Sequence, residues 1–402
     1  MPELIPIDFT DWFLQLTTQL KKFAVLWREA PFYNVALAWR EQYPQLNDAL
    51  LKLTDQETQH LDDNPTALTT VLSEHIAGYE QLLPLLRVAT SRSPAALNQR
   101  LNVDVPGRKW QQIEAFVGSL PGSPDPSVAR VIDWCAGKAH LGRALANHWQ
   151  CGLLAIERNA DLCKTGIRMA QPYVSYIDYH CKDVLQQETN FTQQDFVIAL
   201  HACGDLHRTL AHQWRQSDSN QLALATCCYH QWLQDSFQPL SQLGQQHNLH
   251  LTKNQAHLAV QEMVTSPQRI RRRLKQLNQW RLAFDLLQRD LRGIDEYLPT
   301  PSLPYSATSW GYEAVIKTLA ERKGIHIPND LALAPYVTRA QTHYAMIQRL
   351  QLASLGFRRA LELWMVLDLV LYLQEANCKV SLTEFCDRSL TPRNLCIRAW
   401  RQ

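Results

Sequence analysis

The sequence predicts an α/β fold in which a parallel β-sheet is wrapped by helices and closed by a C-terminal antiparallel hairpin. Strand-like and helix-like segments alternate between about Ala129 and Thr226, which is typical of parallel strands joined by helices. Two further strand-like segments near the C-terminus are joined by a short turn, which makes them antiparallel. We expect a helical N-terminal domain over 1–104 and a sheet domain over 105–402, with a helical insertion at about 238–354.

The N-terminal region is predicted to be helical because its apolar residues recur at intervals of three and four from Phe9 to about Thr90. Asn64-Pro65 opens a second amphipathic stretch. We interpret this region as a scaffold or a substrate clamp. A helix from Arg108 to Leu120 follows, and the proline-rich segment 121–126 leads into the first strand.

The sheet domain contains five predicted strands before the insertion and two after it. The five lie near 129–133, 153–156, 174–180, 195–200 and 222–226, with helices at 141–149, 160–169 and after Leu206. The hairpin strands are predicted at 379–385 and 394–400. The apolar run from Leu361 to Leu373 contains Glu362 and Asp368 and is too short to cross a bilayer, so we expect a buried helix.

Composition sets broad limits on the function. A chain of 402 residues with 46% hydrophobic content can bury a large core. Its 40 basic and 38 acidic residues give a net charge of +2, which neither requires nor excludes nucleic acid. Ten cysteines at irregular spacings, and no basic and apolar leader after Met1, predict a cytoplasmic protein with reduced thiols.

The segment Val131–Gly142 predicts a nucleotide-shaped crevice. Asp133 ends a strand, small residues turn the chain into a helix, and Glu157 ends the next strand, where it can meet a ribose hydroxyl. A dinucleotide would favour Gly-x-Gly-x-x-Gly, whereas this turn reads Cys-Ala-Gly-Lys-Ala. S-adenosylmethionine, which carries no phosphate, fits better. The alternative is an ordinary strand-to-helix turn.

Titratable residues follow two further strands, in Leu200–Leu206 and Ala225–His230. Ligands of such sheets bind beyond the carboxyl ends of the strands, so we expect these segments to face one cavity with the Asp133 turn. His201, Asp205 and His230 are candidate bases for a hydroxyl acceptor. Asp205 is alternatively a helix N-cap. Asp183 is a candidate for the adenine amino group or, alternatively, a turn residue.

The same segments supply four residues that suit zinc: Cys203, Cys227, Cys228 and His230. Adjacent cysteines in a strand point to opposite faces, and the spacing is not that of common structural zinc sites. We therefore expect no metal and interpret the thiols as small buried side chains.

One short helical stretch of the insertion is strongly basic. It contains Arg269, Arg271, Arg272, Arg273, Lys275 and Arg281. Such a helix can neutralise several phosphates of an RNA partner, or it can be a solvated face balanced by acids elsewhere.

Three motifs carry a resemblance to a known family: Asp133-Trp-Cys-Ala-Gly-Lys-Ala-His-Leu-Gly, Leu200-His-Ala-Cys-Gly-Asp-Leu and Cys227-Cys-Tyr-His. They resemble the methyltransferase family that includes the methyltransferase-like protein 25 group and proteins labelled as ribosomal RNA adenine dimethylase domain-containing. The resemblance covers roughly Gly107–Gln242 and Leu361–Trp400. Ala139 stands where that family commonly has glycine. Part of the pattern is also similar to the transfer RNA 2'-O-methyltransferases that act on the acceptor stem.

The resemblance implies a Rossmann-like class I methyltransferase fold and an S-adenosyl-L-methionine cofactor. The residues it implies for cofactor binding are Asp133, Cys135, Gly137, Glu157, Arg158, Asp183 and His201. Those expected around the transferred methyl are His201, Cys203, Asp205, Cys227, Cys228, Tyr229 and His230. Of these, His201, Asp205, Tyr229 and His230 are the catalytic candidates.

We therefore expect a cytoplasmic S-adenosylmethionine-dependent methyltransferase. RNA is favoured as the acceptor, ahead of a protein or a small molecule. A non-catalytic scaffold that binds the donor is the alternative from a different class, and a dehydrogenase would require binding of a nicotinamide nucleotide instead.

Overall fold

The computed structural model describes residues 8–91, 93–122, 124–262 and 267–401. Its strands are β1 (Arg130–Trp134), β2 (Gly152–Glu157), β3 (Ile177–Cys181), β4 (Asp195–Cys203), β5 (Gln221–Cys227), β6 (Lys379–Glu384) and β7 (Leu395–Trp400). The α-helices are α1 (Phe9–Lys22), α2 (Ala24–Trp27), α3 (Trp39–Gln42), α4 (Pro44–Lys52), α5 (Asp55–Asp63), α6 (Pro65–His75), α7 (Gly107–Gly118), α8 (His140–Trp149), α9 (Ala160–Ala170), α10 (Asp205–Gln216), α11 (Gln242–Gln246), α12 (Lys253–Leu258), α13 (Gln268–Arg292), α14 (Tyr312–Arg322), α15 (Ala334–Leu355) and α16 (Arg358–Gln374).

The seven strands form one sheet in the order β3-β2-β1-β4-β5-β7-β6. β1 to β5 are parallel, and β7 runs antiparallel to both β5 and β6. The strand order reverses between β1 and β4, so the helices that follow these two strands leave a crevice beyond their carboxyl ends. The predicted parallel sheet with a C-terminal hairpin is confirmed.

β4 is a nearly continuous apolar run, as expected for a parallel strand covered on both faces. It runs three residues further than predicted because a register shift between Leu200 and Ala202 accommodates His201 as a bulge. The third strand begins at Ile177 rather than Val174, since the preceding residues 171–173 form a turn after α9.

The described residues form two compact units. The first contains residues 8–22, 81–261 and 358–401, and therefore the whole sheet. Its core includes buried residues of α7, α8 and the central strands. Helix α16 is buried along most of its length, as the apolar run at 361–373 predicts. α1 packs on it, and the Trp364 indole donates a hydrogen bond to Thr17 at 2.9 Å.

The second unit contains Phe23–Glu80 and the described residues from 262 to 357, so it combines helices α2–α6 with α13–α15. A separate hydrophobic core lies among α13, α14 and α15. These units do not follow the border predicted at residues 104 and 105, because α1 groups with the sheet and the following helices group with most of the insertion. No helix of the described residues is both long and apolar enough to cross a membrane.

Candidate functional site

The turn after β1 is built from residues with positive φ. Cys135 has a φ of 57°, Gly137 of 58° and Ala139 of 49°. Glycine adopts this conformation with the least strain, so the backbone at Cys135 and Ala139 is held in a conformation that costs free energy. A Cβ atom added at Gly137 would meet no heavy atom within 4 Å. The turn therefore leaves open space beside its central glycine.

Asp133, which is predicted to bind the cofactor, forms a hydrogen bond within the protein. Its buried carboxylate accepts a hydrogen bond from the Gly142 amide at 2.8 Å, which fixes the start of α8. Gly142 permits this close approach, since a Cβ there would lie 2.7 Å from the Asp133 Cβ. Burial raises the pKa of Asp133 to about 7. Asp133 therefore holds the turn in place through the first residues of α8.

Glu157 ends β2 and reaches the same turn. Its Oε2 atom accepts a hydrogen bond from the Gly137 amide at 3.0 Å, and its Oε1 atom accepts one from the Asn159 amide at 2.9 Å. The Ala136 amide also donates to the Ile156 carbonyl at 2.9 Å. The structure thus places an acid at the mouth between β1 and β2, as predicted from its spacing.

Arg158 and Asp183 lie near each other at the rim. Their closest charged atoms are 3.9 Å apart, and both side chains are well exposed, so the ion pair contributes little stability. Asp183 also accepts a hydrogen bond from the Leu185 amide at 3.0 Å. The Arg158 guanidinium lies 5.6 Å from the centre of the Trp232 ring, which is 47% exposed. Sequence reasoning did not select Trp232, although it closely follows the Cys-Cys-Tyr-His segment.

His201 projects from the β4 bulge with a φ of 65°. Its Nε2 atom lies 2.9 Å from Oε1 of Gln112, whose amide nitrogen donates to the Leu390 carbonyl at 3.1 Å. Since the Gln112 oxygen must accept, His201 Nε2 carries the proton and Nδ1 is left as an acceptor. Burial lowers the pKa of His201 to about 4, so the ring is neutral.

Asp205 is the first residue of α10, and Gly204 occupies the N-cap position. The alternative interpretation of Asp205 as the N-cap is therefore wrong by one residue. Its carboxylate lies 3.3 Å from the Arg208 guanidinium. Burial raises the pKa of Asp205, and Arg208 opposes that shift.

Tyr229, a predicted catalytic residue, points into the core. Its side chain is 2% exposed, and its hydroxyl lies 2.9 Å from Thr226 Oγ1 and 3.2 Å from Glu362 Oε1. Glu362 in turn pairs with Arg359 at 2.6 Å. Burial holds the pKa of Tyr229 well above its ordinary value. This network supports the end of β5 from inside, and we propose that Tyr229 positions this strand end.

Three thiols converge where β4 and β5 end. Cys203 Sγ and Cys227 Sγ are 3.2 Å apart, and both lie within 4.8 Å of Cys228 Sγ. The expectation that the adjacent cysteines point to opposite faces is wrong, because β5 ends at Cys227 and Cys228 has a φ of 49°. Hydrogen bonds from Cys203 and Cys227 lower the pKa of Cys228.

His230 packs against a histidine that the sequence did not indicate. Its ring centre is 4.2 Å from that of His257, which lies on α12. Burial lowers the pKa of both rings, that of His257 to about 4. Nδ1 of His230 is buried without a hydrogen-bond partner among the described residues. Arg393 adds positive charge near both histidines and donates to the Val260 carbonyl at 2.8 Å.

The β1 turn and the β4 end lie close together. Burial raises the pKa of the Cys135 thiol to about 12, and the neighbouring Glu157, Asp133, Cys203 and Asp183 raise it further. Groups from four strand ends therefore interact with one side chain. A separate cavity of about 320 Å³ lies at the opposite, amino-terminal edge of β5, lined in part by Ser127, Asn220 and Gln221, and contains none of the candidate residues.

Residues 108–235 match a protein family described as "Methyltransferase domain". The match spans about a third of the chain and includes β1 to β5 and the three thiols. The predictions of a Rossmann-like class I methyltransferase fold and of a methyltransferase domain are confirmed. No curated protein matches the chain.

Among solved structures, the chain is similar to magnesium protoporphyrin IX methyltransferase from Synechocystis PCC 6803, at 16% identity and a TM-score of 0.23, over 41% of this chain and 76% of that one. It is also similar to the cyclopropane synthase MmaA2 from Mycobacterium tuberculosis, at 11% identity and a TM-score of 0.27, over 74% and 85%. Coclaurine N-methyltransferase gives 15% identity and a TM-score of 0.26, over 54% and 62%. The chain therefore spans less than two thirds of that last protein's length. Nothing about the substrate of this chain follows from these matches.

Proposed function

We propose that the crevice between β1, β2 and β4 binds S-adenosylmethionine and that the protein transfers the donor's methyl group to an acceptor. The observation that carries this proposal is the Glu157 carboxylate, held 3.0 Å from the Gly137 amide. A carboxylate at the end of the second strand suits the hydroxyl pair of a ribose. We further propose that the chain is a relative of the methyltransferase-like protein 25 group.

The residues present fit this donor better than they fit a dinucleotide. Glu157 accepts the hydrogen bond of the Gly137 amide. The turn therefore presents a negative charge where a diphosphate would need free N–H donors. The open side of Gly137 leaves room for a ligand close to the backbone. Arg158, Asp183 and Trp232 supply a charged and aromatic rim for a planar base.

S-adenosylmethionine supplies a methyl group activated by its own sulfonium. The protein contributes alignment and a site from which water is excluded. His201 is suited to orient an acceptor through its neutral ring, with Nδ1 as a hydrogen-bond acceptor. Asp205 has a raised pKa and lies at the same edge, where it can accept the proton of a hydroxyl acceptor.

Calorimetric titration of the purified chain tests donor binding. We expect wild type to bind S-adenosylmethionine and S-adenosylhomocysteine, and Glu157→Ala to bind both at least tenfold more weakly, since a charged hydrogen bond is worth about 1.5–3 kcal/mol. Asp48→Ala, an exposed acid on α4, is the matched control and should bind like wild type. Binding of a nicotinamide nucleotide in place of the donor, or equal binding by Glu157→Ala, would overturn the proposal.

Turnover separates an enzyme from a non-catalytic scaffold. With a radiolabelled methyl donor, we expect incorporation into one fraction of a cell extract separated into RNA, protein and small molecules. Donor binding without label transfer to any fraction would support the scaffold instead. His201→Ala should then reduce incorporation without weakening donor binding, because the residue is proposed to orient the acceptor.

The acceptor that we propose is RNA, and the support is the basic start of α13. Two of its cations are partly neutralised within the second unit: Arg271 pairs with Asp63 at 2.9 Å, and Lys275 lies 3.9 Å from Asp55. Arg269 and Arg272 are exposed, and Arg273 is half-buried. Contacts to phosphate would therefore come from Arg269, Arg272 and Arg273.

A further inference from the structure

We propose that Cys203, Cys227 and Cys228 form a zinc site in which three thiolates bind one ion. The site lies at the carboxyl ends of β4 and β5, so it belongs to the same edge of the sheet as the proposed donor crevice. It goes beyond the proposed methyl transfer, because the alignment of donor and acceptor described above involves no metal.

The distances suit a zinc ion. With Zn–S bonds of about 2.3 Å, the sulfurs of a tetrahedral site lie roughly 3.8 Å apart. All three sulfurs of this cluster lie within 4.8 Å of one another, and the closest pair is 3.2 Å apart. Shifts of about an ångström, within the range of side-chain rotation, would bring them onto one ion.

The backbone holds the ligands in place before any ion binds. Cys203 and Cys227 are paired residues on neighbouring parallel strands. The Gly204 amide donates to the Cys227 carbonyl at 3.1 Å, and the positive φ of Cys228 turns its side chain back toward the other two. Ligands carried on rigid strand ends cost little entropy to assemble.

The surroundings compensate the charge of such a site. Three thiolates and Zn²⁺ carry one net negative charge, and the Arg393 guanidinium, which lies near Cys203 and Cys228, attracts that charge. Three protein ligands leave the fourth position of a tetrahedral site for water or an acceptor atom. Soft thiolate ligands select zinc over magnesium or calcium, which prefer oxygen.

A disulfide is the main rival for these thiols. The Cys203 and Cys227 sulfurs are 3.2 Å apart, whereas a disulfide bond is about 2.05 Å long. A disulfide would also leave Cys228 alone, whereas a metal uses all three sulfurs.

Elemental analysis of the purified full chain tests the proposal directly. We expect about one zinc ion per chain. After removal of the zinc with a chelator, Co²⁺ should produce the near-ultraviolet thiolate-to-cobalt absorption. Cys203→Ser and Cys228→Ser, each at a half-buried position, should lose most of the bound zinc and that absorption.

Cys151→Ser is the matched control, because Cys151 is also half-buried but precedes β2 at the opposite edge of the sheet. It should retain the zinc and the cobalt absorption. Circular dichroism must show that each variant is folded.

The proposal is wrong if folded wild type holds no zinc and gives no cobalt absorption, or if the Cys203 and Cys228 variants bind zinc like wild type. It is also wrong if mass spectrometry finds a Cys203–Cys227 disulfide in the fresh protein. If a variant does not fold, the wild-type zinc content and cobalt spectrum decide.

Discussion

Gln112 and His201 lie 89 positions apart in the chain, yet their side chains hydrogen-bond at 2.9 Å. The glutamine comes from α7, before the first strand, and the histidine from the bulge of β4. The contact fixes the ring orientation and the tautomer of a residue at the centre of the proposed site. Gln112 is therefore a positioning residue that acts through His201.

Gln112→Glu should raise the pKa of His201. A carboxylate in hydrogen-bond contact with Nε2–H favours the charged ring by about 1 to 3 pKa units, starting from a wild-type value of about 4. Titration of the His201 ring signals by NMR measures the shift. Gln216→Glu, on an amide that faces His212 instead, is the control and should leave His201 unchanged. A His201 titration that is identical in Gln112→Glu and wild type would contradict the proposed contact.

Asp133→Asn should make the protein less sensitive to pH. Because the folded-state pKa of Asp133 is raised from 3.8 to about 7, the folded protein holds its proton more tightly than the unfolded chain. Its ionisation therefore costs stability as the pH rises between these values, and the full cost, roughly 4 kcal/mol, is present above the folded pKa.

Urea unfolding of wild type and Asp133→Asn at about pH 4 and about pH 8 measures that difference. We expect similar free energies of unfolding at the lower pH and a more stable Asn variant at the higher pH, since Asn can still accept from the Gly142 amide. A stability difference that does not change with pH would show that Asp133 is ionised normally.

Tyr229→Phe distinguishes a positioning role from a catalytic one. The change removes a buried hydroxyl bonded to Thr226 and Glu362, so the free energy of unfolding should fall by about 1–3 kcal/mol. Methyl transfer by the folded variant should persist. Tyr176→Phe, at a side chain that is 60% exposed, is the control and should leave stability unchanged. Full stability combined with a loss of turnover would restore Tyr229 as a catalytic residue.

The basic start of α13 gives a test of RNA binding. Replacing Arg269, Arg272 and Arg273 by Ala should weaken binding of bulk RNA and reduce the slope of log affinity against log salt by about 1 for each phosphate that is no longer bound. Arg322→Ala, an exposed arginine on α14, is the control and should leave the slope unchanged. An unchanged slope in the triple variant would remove the reason to favour RNA.

The fold was predictable because its signals are local. Strand-like and helix-like segments alternate along the chain, and the spacing from Asp133 to Glu157 matches one strand, turn, helix and strand. The site was predictable only in part. The strand-end motifs locate His201 and the cysteines, but periodicity carries no information on which way a residue faces once a strand ends.

One wrong prediction, that Cys227 and Cys228 point to opposite faces, has this physical origin. Strand alternation would point the Cys228 side chain away from Cys227, but the positive φ of Cys228 turns it back. The next side chain, that of Tyr229, is buried in the core. Gln112 and His257 were missed because they reach the site from distant segments through tertiary packing alone. Trp232 was also missed, although its position two residues after the Cys-Cys-Tyr-His segment could have indicated it.

A crystal structure of the complex with S-adenosylhomocysteine is the decisive measurement for the proposed donor crevice. We expect the ribose hydroxyls in hydrogen-bond contact with Glu157, beside the open face of Gly137, and the sulfur directed toward His201. A ligand bound elsewhere, or a Glu157 carboxylate that keeps its hydrogen bond to Gly137 while the ribose lies outside its reach, would contradict the proposed site.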